Sequence, residues 1–171
     1  MSNIAYMTIK GATQGDISSD ATTADSIGNL WQEGHEAKCM VYKFEQNAIV
    51  PRDPQSGSII ATRRHMPTTF IKPLDKSTPL MWQALATGEA MEIKVEFWRT
   101  STKGVQEHYF TIEFEDAVFV EGKTMQPDVN DEQNSSRGDL DQWSFTYRKA
   151  IWTHEVAGTN ASDDYRAPVT G

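Results

Sequence analysis

Paired carboxylates are the residues in this chain whose spacing could support acid–base chemistry. Glu113 and Glu115 stand at i and i+2, which on a strand places both on one face, as a general acid and base would require. A solvated strand face has the same spacing, and that is the reading adopted, because no companion motif accompanies the pair. Glu107 and His108 are adjacent, so on a strand they point to opposite faces and cannot cooperate directly. His35 and Cys39 have H-x-x-x-C spacing without the second pair of ligands that zinc requires. His35 therefore reads as a loop residue that bonds locally, and Cys39 as a small buried side chain. The chain holds no G-x-S-x-G, phosphate-cradling glycine loop, H-E-x-x-H or EF-hand loop. No catalytic residue, cofactor or metal is predicted, and the chain is not expected to be an enzyme. Arg137-Gly138-Asp139 reads as a loop tripeptide, and the Asn134-Ser135-Ser136 and Asn160-Ala161-Ser162 sequons as chance matches.

Composition narrows the partners. With 24 acidic against 16 basic residues the formal charge is −8, which repels a phosphate backbone or an anionic membrane. Nucleic acid and membrane insertion are thus set aside. No apolar run approaches the ~18 residues of a membrane span, and the start, MSNIAYMTIKG, lacks the basic and apolar regions of an export signal. Folding in the cytoplasm without a cleaved signal peptide is expected. With Cys39 the only cysteine, no internal disulfide forms and the core must supply the stability. A chain of 171 residues suits one domain, residues 1–171.

The elements predicted to position these residues are strands, with one helix. Ile4 to Lys10 alternates and ends at Gly11; residues 12–36 form a long polar excursion with little core. Lys38 to Phe44 is strand-like, with Cys39 and Val41 on one face and Met40, Tyr42 and Phe44 on the other. Val50 to Gly57 concentrates two prolines, an aspartate and a glycine into a projecting loop. Thr68 to Lys72 leads into a helix at about residues 78–87. Ser77 and Thr78 are expected to cap it through their side chains, Pro79 to stand at its first position and Gly88 to close it in the left-handed conformation. Its apolar stripe is Met81, Ala84, Leu85 and Gly88. Met91 to Thr100 has the clearest period of two, and a turn at Ser101 to Gly104 joins it to Glu107 to Glu115 as a hairpin. A short strand at Ala117 to Val120, a polar loop at 126–141, a strand through Trp143, Phe145 and Tyr147 leading to Ile151, and a frayed tail after Val156 complete the chain. Trp82, Trp98 and Trp143 read as core or half-buried packing. The pattern is mainly β: an antiparallel β-barrel or sandwich with one short α-helix.

At this point the residues resemble a known family. The order of a strand, D-x-S-x-P, a short helix ending in glycine and a second strand, TTFIKPLDKSTPLMWQALATGEAMEIKVEFWRT, is similar to the haemolysin-coregulated protein (Hcp) family, the tube subunit of bacterial type VI secretion. The likeness extends to TADSIGN, QEGHE and DPQSG upstream and to QEHYF, EFEDAVFV, YRKAIWTHEVAGT and DDYRAP downstream, in collinear order over nearly the whole chain. CMVYKFEQ departs from the branch with a tryptophan-rich second strand.

The resemblance implies a β-barrel of two sheets with one helix, forming homohexameric rings. Those rings stack into a hollow tube inside a contractile sheath on a baseplate, and the tube is propelled outward behind a trimeric spike. It also implies a cytoplasmic protein that leaves the cell through this apparatus, with small effector proteins carried and protected in the lumen. A ring needs two different complementary surfaces on each subunit. The loop Arg52, Asp53, Pro54, Gln55, Ser56 and Gly57 is expected to contact an adjacent subunit or ring, and Asp75 and Lys76 to contribute to ring stacking. The competing reading is a monomeric β-sandwich module that binds a small ligand on an aromatic strand face.

Overall fold

Alternation of apolar and polar residues at period two, carried by Met91, Ile93 and Val95 and again by Ile112 and Phe114, forces these segments to bury one face each against a partner sheet. The computed structural model describes residues 3–30 and 33–165. Its elements are β1 (Ala5–Gly11), β2 (Gly15–Asp16), α1 (Ala24–Ile27), β3 (Cys39–Val41), β4 (Lys43–Glu45), β5 (Ala48–Ile49), β6 (Arg64–His65), β7 (Thr68–Pro73), α2 (Thr78–Thr87), β8 (Met91–Thr100), β9 (Gln106–Met125), β10 (Leu140–Thr146), β11 (Lys149–His154) and β12 (Thr159–Asp164).

Two antiparallel sheets form the barrel. The first runs β12, β11, the front half of β9, β8 and β1, with β2 and β3 along the outer edge of β1. The second runs from the back half of β9 through β10 and β7 to β4. Strand β9 thus belongs to both sheets, where two separate strands were expected. It turns between them at Asp116, which takes a positive φ of 52°. Strands β10 and β11 follow β9 along one side, and the gap between them holds Arg148, which pairs with Glu115 (3.2 Å), Asp116 (2.6 Å) and Asp164. The expected strand at 38–44 is likewise split at Tyr42: Cys39–Val41 pairs with β1, and Lys43–Glu45 pairs with β7. Crossing from one sheet to the other leaves all three residues of β3 buried and Tyr42 exposed.

The core joins both sheets in one cluster. Met7, Ile9, Ile93, Val95 and Phe114 meet Phe70, Trp143 and Phe145, and the Phe114 and Phe145 rings contact edge to face at 4.9 Å between centroids. Each such side chain stabilises the fold by about 1.5–3 kcal/mol on burial. Gly122 lies opposite Trp143 in register, and a Cβ there would fall 2.5 Å from the indole, so only glycine admits the ring. The polar excursion at 12–36 contributes more than expected, since Ile17 and Ala21 are fully buried. Thr159–Asp164, expected within a frayed tail, forms β12 on β11; residues 166–171 of that tail lie outside the described residues. The loop expected at 126–141 ends earlier, because Leu140 and Asp141 already pair with β7 and β9.

Helix α2 matches its expected span, and Gly88 closes it at φ 67°. Its start is capped differently. Ser77 is the N-cap residue but takes a helical backbone (φ −76°, ψ −20°), and its side chain makes no capping bond. Asp75 takes that role, its Oδ1 accepting from the Ser77 N–H at 2.9 Å and from the Ser77 hydroxyl, and Pro79 stands second in the helix. The same carboxylate lies in a fully buried network with Lys72, whose ammonium donates to Asp75 (2.9 Å), Thr78 (2.9 Å) and Asp141 (3.1 Å). Thr78 in turn donates to Asp141 at 2.6 Å. This network ties the start of α2 to β7 and β10. Burial opposes the charged form of Lys72, but Asp75, together with Asp141, outweighs it and raises the Lys72 pKa above the usual lysine value.

A lysine pKa raised by folding stabilises the protein below the unfolded value and ceases to do so as pH rises through the folded one. Stability should therefore fall in the alkaline range, above about pH 10.4. Lys72→Met leaves two buried carboxylates uncompensated and should cost about 3–5 kcal/mol, read by urea denaturation at pH 7. A cost below 1 kcal/mol would contradict this role.

Candidate functional site

The residues with potential for acid–base chemistry stand in separate surroundings, each with its own partners. Glu113 and Glu115 share the outward face of β9, with Glu113 opposite Lys94 and Glu115 paired with Arg148. Along that face runs a shallow groove of about 260 Å³, whose lining includes Thr8, Lys10, Glu92 and Lys94. Glu107 accepts from Arg99 at 2.7 Å, whereas His108 stacks on Trp98 and bonds the Thr111 hydroxyl at 2.6 Å. His35 stacks on Tyr6 at 3.8 Å, and Cys39 lies inside the barrel, 3.3 Å from the Ser77 hydroxyl, with its thiol pushed up to about 12 by burial. Among the described residues no group of three or more His, Cys, Asp or Glu is placed to hold a metal ion. Trp143 is fully buried, Trp98 half-buried, and Trp82, 36 % exposed on α2, sets its ring against Trp143 at 4.9 Å.

The loop expected to project does so, as a two-stranded ribbon. Ala48 pairs with His65, Ile49 with Arg64 and Arg52 with Ile59. Beyond them the tip is closed by Asp53 N–H to the Ser58 carbonyl and Gly57 N–H to the Asp53 carbonyl, each 2.8 Å, with Gly57 at φ 73°. The Asp53 carboxylate accepts from the Gln55 N–H (2.9 Å) and the Ser56 hydroxyl (3.0 Å), and these bonds hold its pKa below the usual carboxylate value. The tip is thus shaped before it meets anything. Its flanks are apolar and open to solvent, with Ile59 71 % and Ile60 66 % exposed beside Ile49 and Val50. A two-stranded ribbon of this kind is marginal in water on its own.

What holds it is a polar cluster at its base. The His65 ring lies between the Tyr147 hydroxyl, 2.6 Å from Nδ1, and Asp163 Oδ2, 2.6 Å from Nε2. Arg63 also pairs with Asp163, through Nε at 2.6 Å. Gln46 donates to Tyr147 at 2.9 Å and accepts from the Trp152 indole N–H at 2.9 Å. Gln46, Tyr147, His65 and Asp163 thus form one continuous hydrogen-bonded chain. This cluster was not legible in the sequence, because Gln46, Arg63 and His65 bond partners 82 to 106 positions away, at Tyr147, Trp152 and Asp163. Asp75, expected among the ring contacts, has its side chain fully buried in the Lys72 network, so its charge is withdrawn from the surface. Lys76 remains exposed, 3.5 Å from Asp20.

Fold and surface define a class: an antiparallel barrel with a capping helix and a projecting ribbon. Residues 6–154 match the family described as "Type VI secretion system effector, Hcp". The chain is 46 % identical, over the full length of both proteins, to the "Major exported protein" of Pseudomonas aeruginosa. A solved structure described as an Hcp protein superposes with a TM-score of 0.91 at 40 % identity, covering 96 % of this chain and 98 % of that one. The "secreted protein Hcp3" of Pseudomonas aeruginosa superposes with a TM-score of 0.79 at 41 % identity, covering 95 % and 99 %. The chain belongs to the Hcp family of type VI secretion proteins.

The Asp163 carboxyl is lowered to about 2, by Arg63 first and His65 second. A lowered carboxylate stabilises above its unfolded pKa and is lost as pH falls, so the ribbon should loosen between about pH 5 and pH 2. Asp163→Asn should remove that acid dependence at a cost on the order of 1 kcal/mol, since solvent screens part of the pair. Limited proteolysis between Ile49 and Arg64 reads it; equal cleavage of both proteins at pH 7 would count against the anchor.

Proposed function

We propose that this chain is a tube subunit of a type VI secretion apparatus. Six copies close into a ring, and rings stack into a hollow tube within a contractile sheath. The tube stands on a baseplate behind a trimeric spike and carries small effector proteins in its lumen. The protein is made in the cytoplasm and exported through the apparatus itself, and its role is structural rather than catalytic. Residues 1–171 act as one unit.

The observation that carries this reading is the ribbon: a preformed, apolar-flanked projection on a rigid base, in a chain of the Hcp family. Its tip residues Arg52–Gly57 contact an adjacent subunit or ring, and Ile59 and Ile60 extend that contact beyond the turn itself. Because the tip is already hydrogen-bonded, docking orders little new chain and loses little entropy. Burial of the four apolar side chains supplies the driving force. Lys76 adds a charge at the end of the barrel where α2 begins.

Light scattering should give a particle about six times the 19.2 kDa protomer, with annuli in negative stain. The double variant Ile59→Asp, Ile60→Asp changes only exposed positions, so its unfolding midpoint should stay near that of the unaltered chain while assembly beyond the protomer is weakened at least tenfold. A single 19.2 kDa particle at every concentration would favour the monomeric binding module instead.

A further inference from the structure

A second set of titratable groups lies on the outward face of the first sheet. Tyr6, Glu96 and Thr111 stand in one cross-strand row on β1, β8 and β9, alternating with the core residues Met7, Val95 and Ile112. Their phase should turn them to solvent, yet they are only 5 %, 8 % and 2 % exposed. Residues 33–38 lie over this row. The His35 ring stacks on Tyr6 at 3.8 Å, with 6° between the planes, and meets Trp98 edge to face at 5.3 Å. Lys38 places its ammonium 2.5 Å from Glu96 Oε2. The segment is also bonded within itself, since the Lys38 N–H donates to the His35 carbonyl at 3.1 Å and the Glu36 carboxylate accepts from the Gly34 N–H at 3.1 Å. The Thr22 hydroxyl adds a bond to the His35 carbonyl. His35, Lys38 and Thr22 thus hold the segment in place.

Two of these contacts respond to acid. His35 Nδ1 is buried and has no hydrogen-bond partner. A charged imidazole carries an N–H at both ring nitrogens, so protonation in place would leave a buried, unpaired donor bearing charge. Burial lowers the His35 pKa below the usual histidine value, Lys38 lowers it further, and Glu96 and Glu36 offset only part of this. The second histidine, His108, stacks on the Trp98 ring at 5.4 Å, with Nδ1 3.9 Å from Glu96 Oε1. Its Nε2 bonds Thr111 at 2.6 Å, and Thr111 donates to Glu155 at 2.7 Å. Once charged, His108 meets the carboxylate that Lys38 already occupies and repels the ammonium across it. Acid therefore weakens the His35 contact and the Lys38 contact together.

We propose that residues 33–38 are an acid-released cover over the outward face of β1, β8 and β9, with His35 as the group that takes the proton and Lys38 on Glu96 as the latch. The covered form binds fewer protons than the open one. The cover is therefore held fully above about pH 6.5 and is lost as pH falls below that value. Opening bares Tyr6, Glu96 and the Trp98 ring, which gives the chain an aromatic and acidic surface that it lacks at neutral pH. The barrel stays closed, because the other face of the same strands packs into the core. The cover belongs to the single chain and stands whether or not copies associate.

Hydrogen exchange of residues 33–38, corrected for the intrinsic effect of pH on the exchange rate, tests this. Between pH 7 and pH 5 their exchange should speed up several-fold while Met91–Thr100 stays protected. His35→Phe keeps a flat ring on Tyr6 but cannot take the proton, so the same segment should exchange alike at both pH values. In the unaltered chain the His35 ring, followed by NMR among the four histidines, should titrate below pH 6.5 and in step with the exposure of the segment. Protection that is unchanged in acid, or an acid release that persists after His35→Phe, would overturn the cover. So would a His35 ring that titrates at or above pH 6.5 while the segment stays protected, a result that needs no substitution to obtain.

Discussion

Strand β9 has to serve two sheets, and most of the molecule follows from how it does so. A 20-residue strand cannot remain straight while its front half pairs with β8 and its back half closes a second sheet with β10. The turn is made at Asp116, in a backbone conformation that few non-glycine residues adopt, and it is held by Arg148 from the gap between β10 and β11. One guanidinium thereby joins the corner of β9 to β12 through Asp164. The barrel is closed by two such corners, the second at Tyr42, where the chain leaves the first sheet for the other.

The position of β12 carries this constraint to the surface. Arg148 fixes Asp164, and its neighbour Asp163 grips Arg63 and His65 at the base of the ribbon. The ribbon is thus aimed by the same corner that closes the barrel, and its orientation is a property of the fold and not of the loop alone. At the opposite end of β7 the Lys72 network pins the start of α2 to β7 and β10. Both ends of β7 are rigid for different reasons, one through surface-linked ion pairs and the other through a buried cation with its carboxylates. Rigid ends on a short strand suit the repeating contacts proposed for this chain.

Local signals in the sequence were reliable where the physics is local. Period-two alternation marked the span of β8, though Glu96 on its polar face is buried, Gly88 marked the helix stop, and the prolines and Asp53 of Val50 to Gly57 marked the turn at the ribbon tip. The limits of local reasoning show at three places. Asp75 looked like a surface charge because aspartate beside lysine normally is, and only the approach of Lys72 and Asp141 from neighbouring strands makes its burial tolerable. Asp116 gave no hint that one strand would turn without breaking. The tail looked polar and frayed, yet Asn160 to Asp164 pairs along β11 because an edge strand needs backbone partners and not apolar side chains. The ribbon base was invisible for the same reason: His65, Tyr147 and Asp163 carry no shared motif.

We propose that the exposed, apolar-flanked ribbon is a contact element for a second copy. Hydrogen exchange of its backbone, followed across protein concentration, tests this most directly. The N–H groups of Asp53, Gly57 and Ile60, which already close the tip, should become more protected as concentration rises and should return to rapid exchange on dilution. Protection that stays the same from the most dilute to the most concentrated sample, in protein that remains folded, would contradict the account.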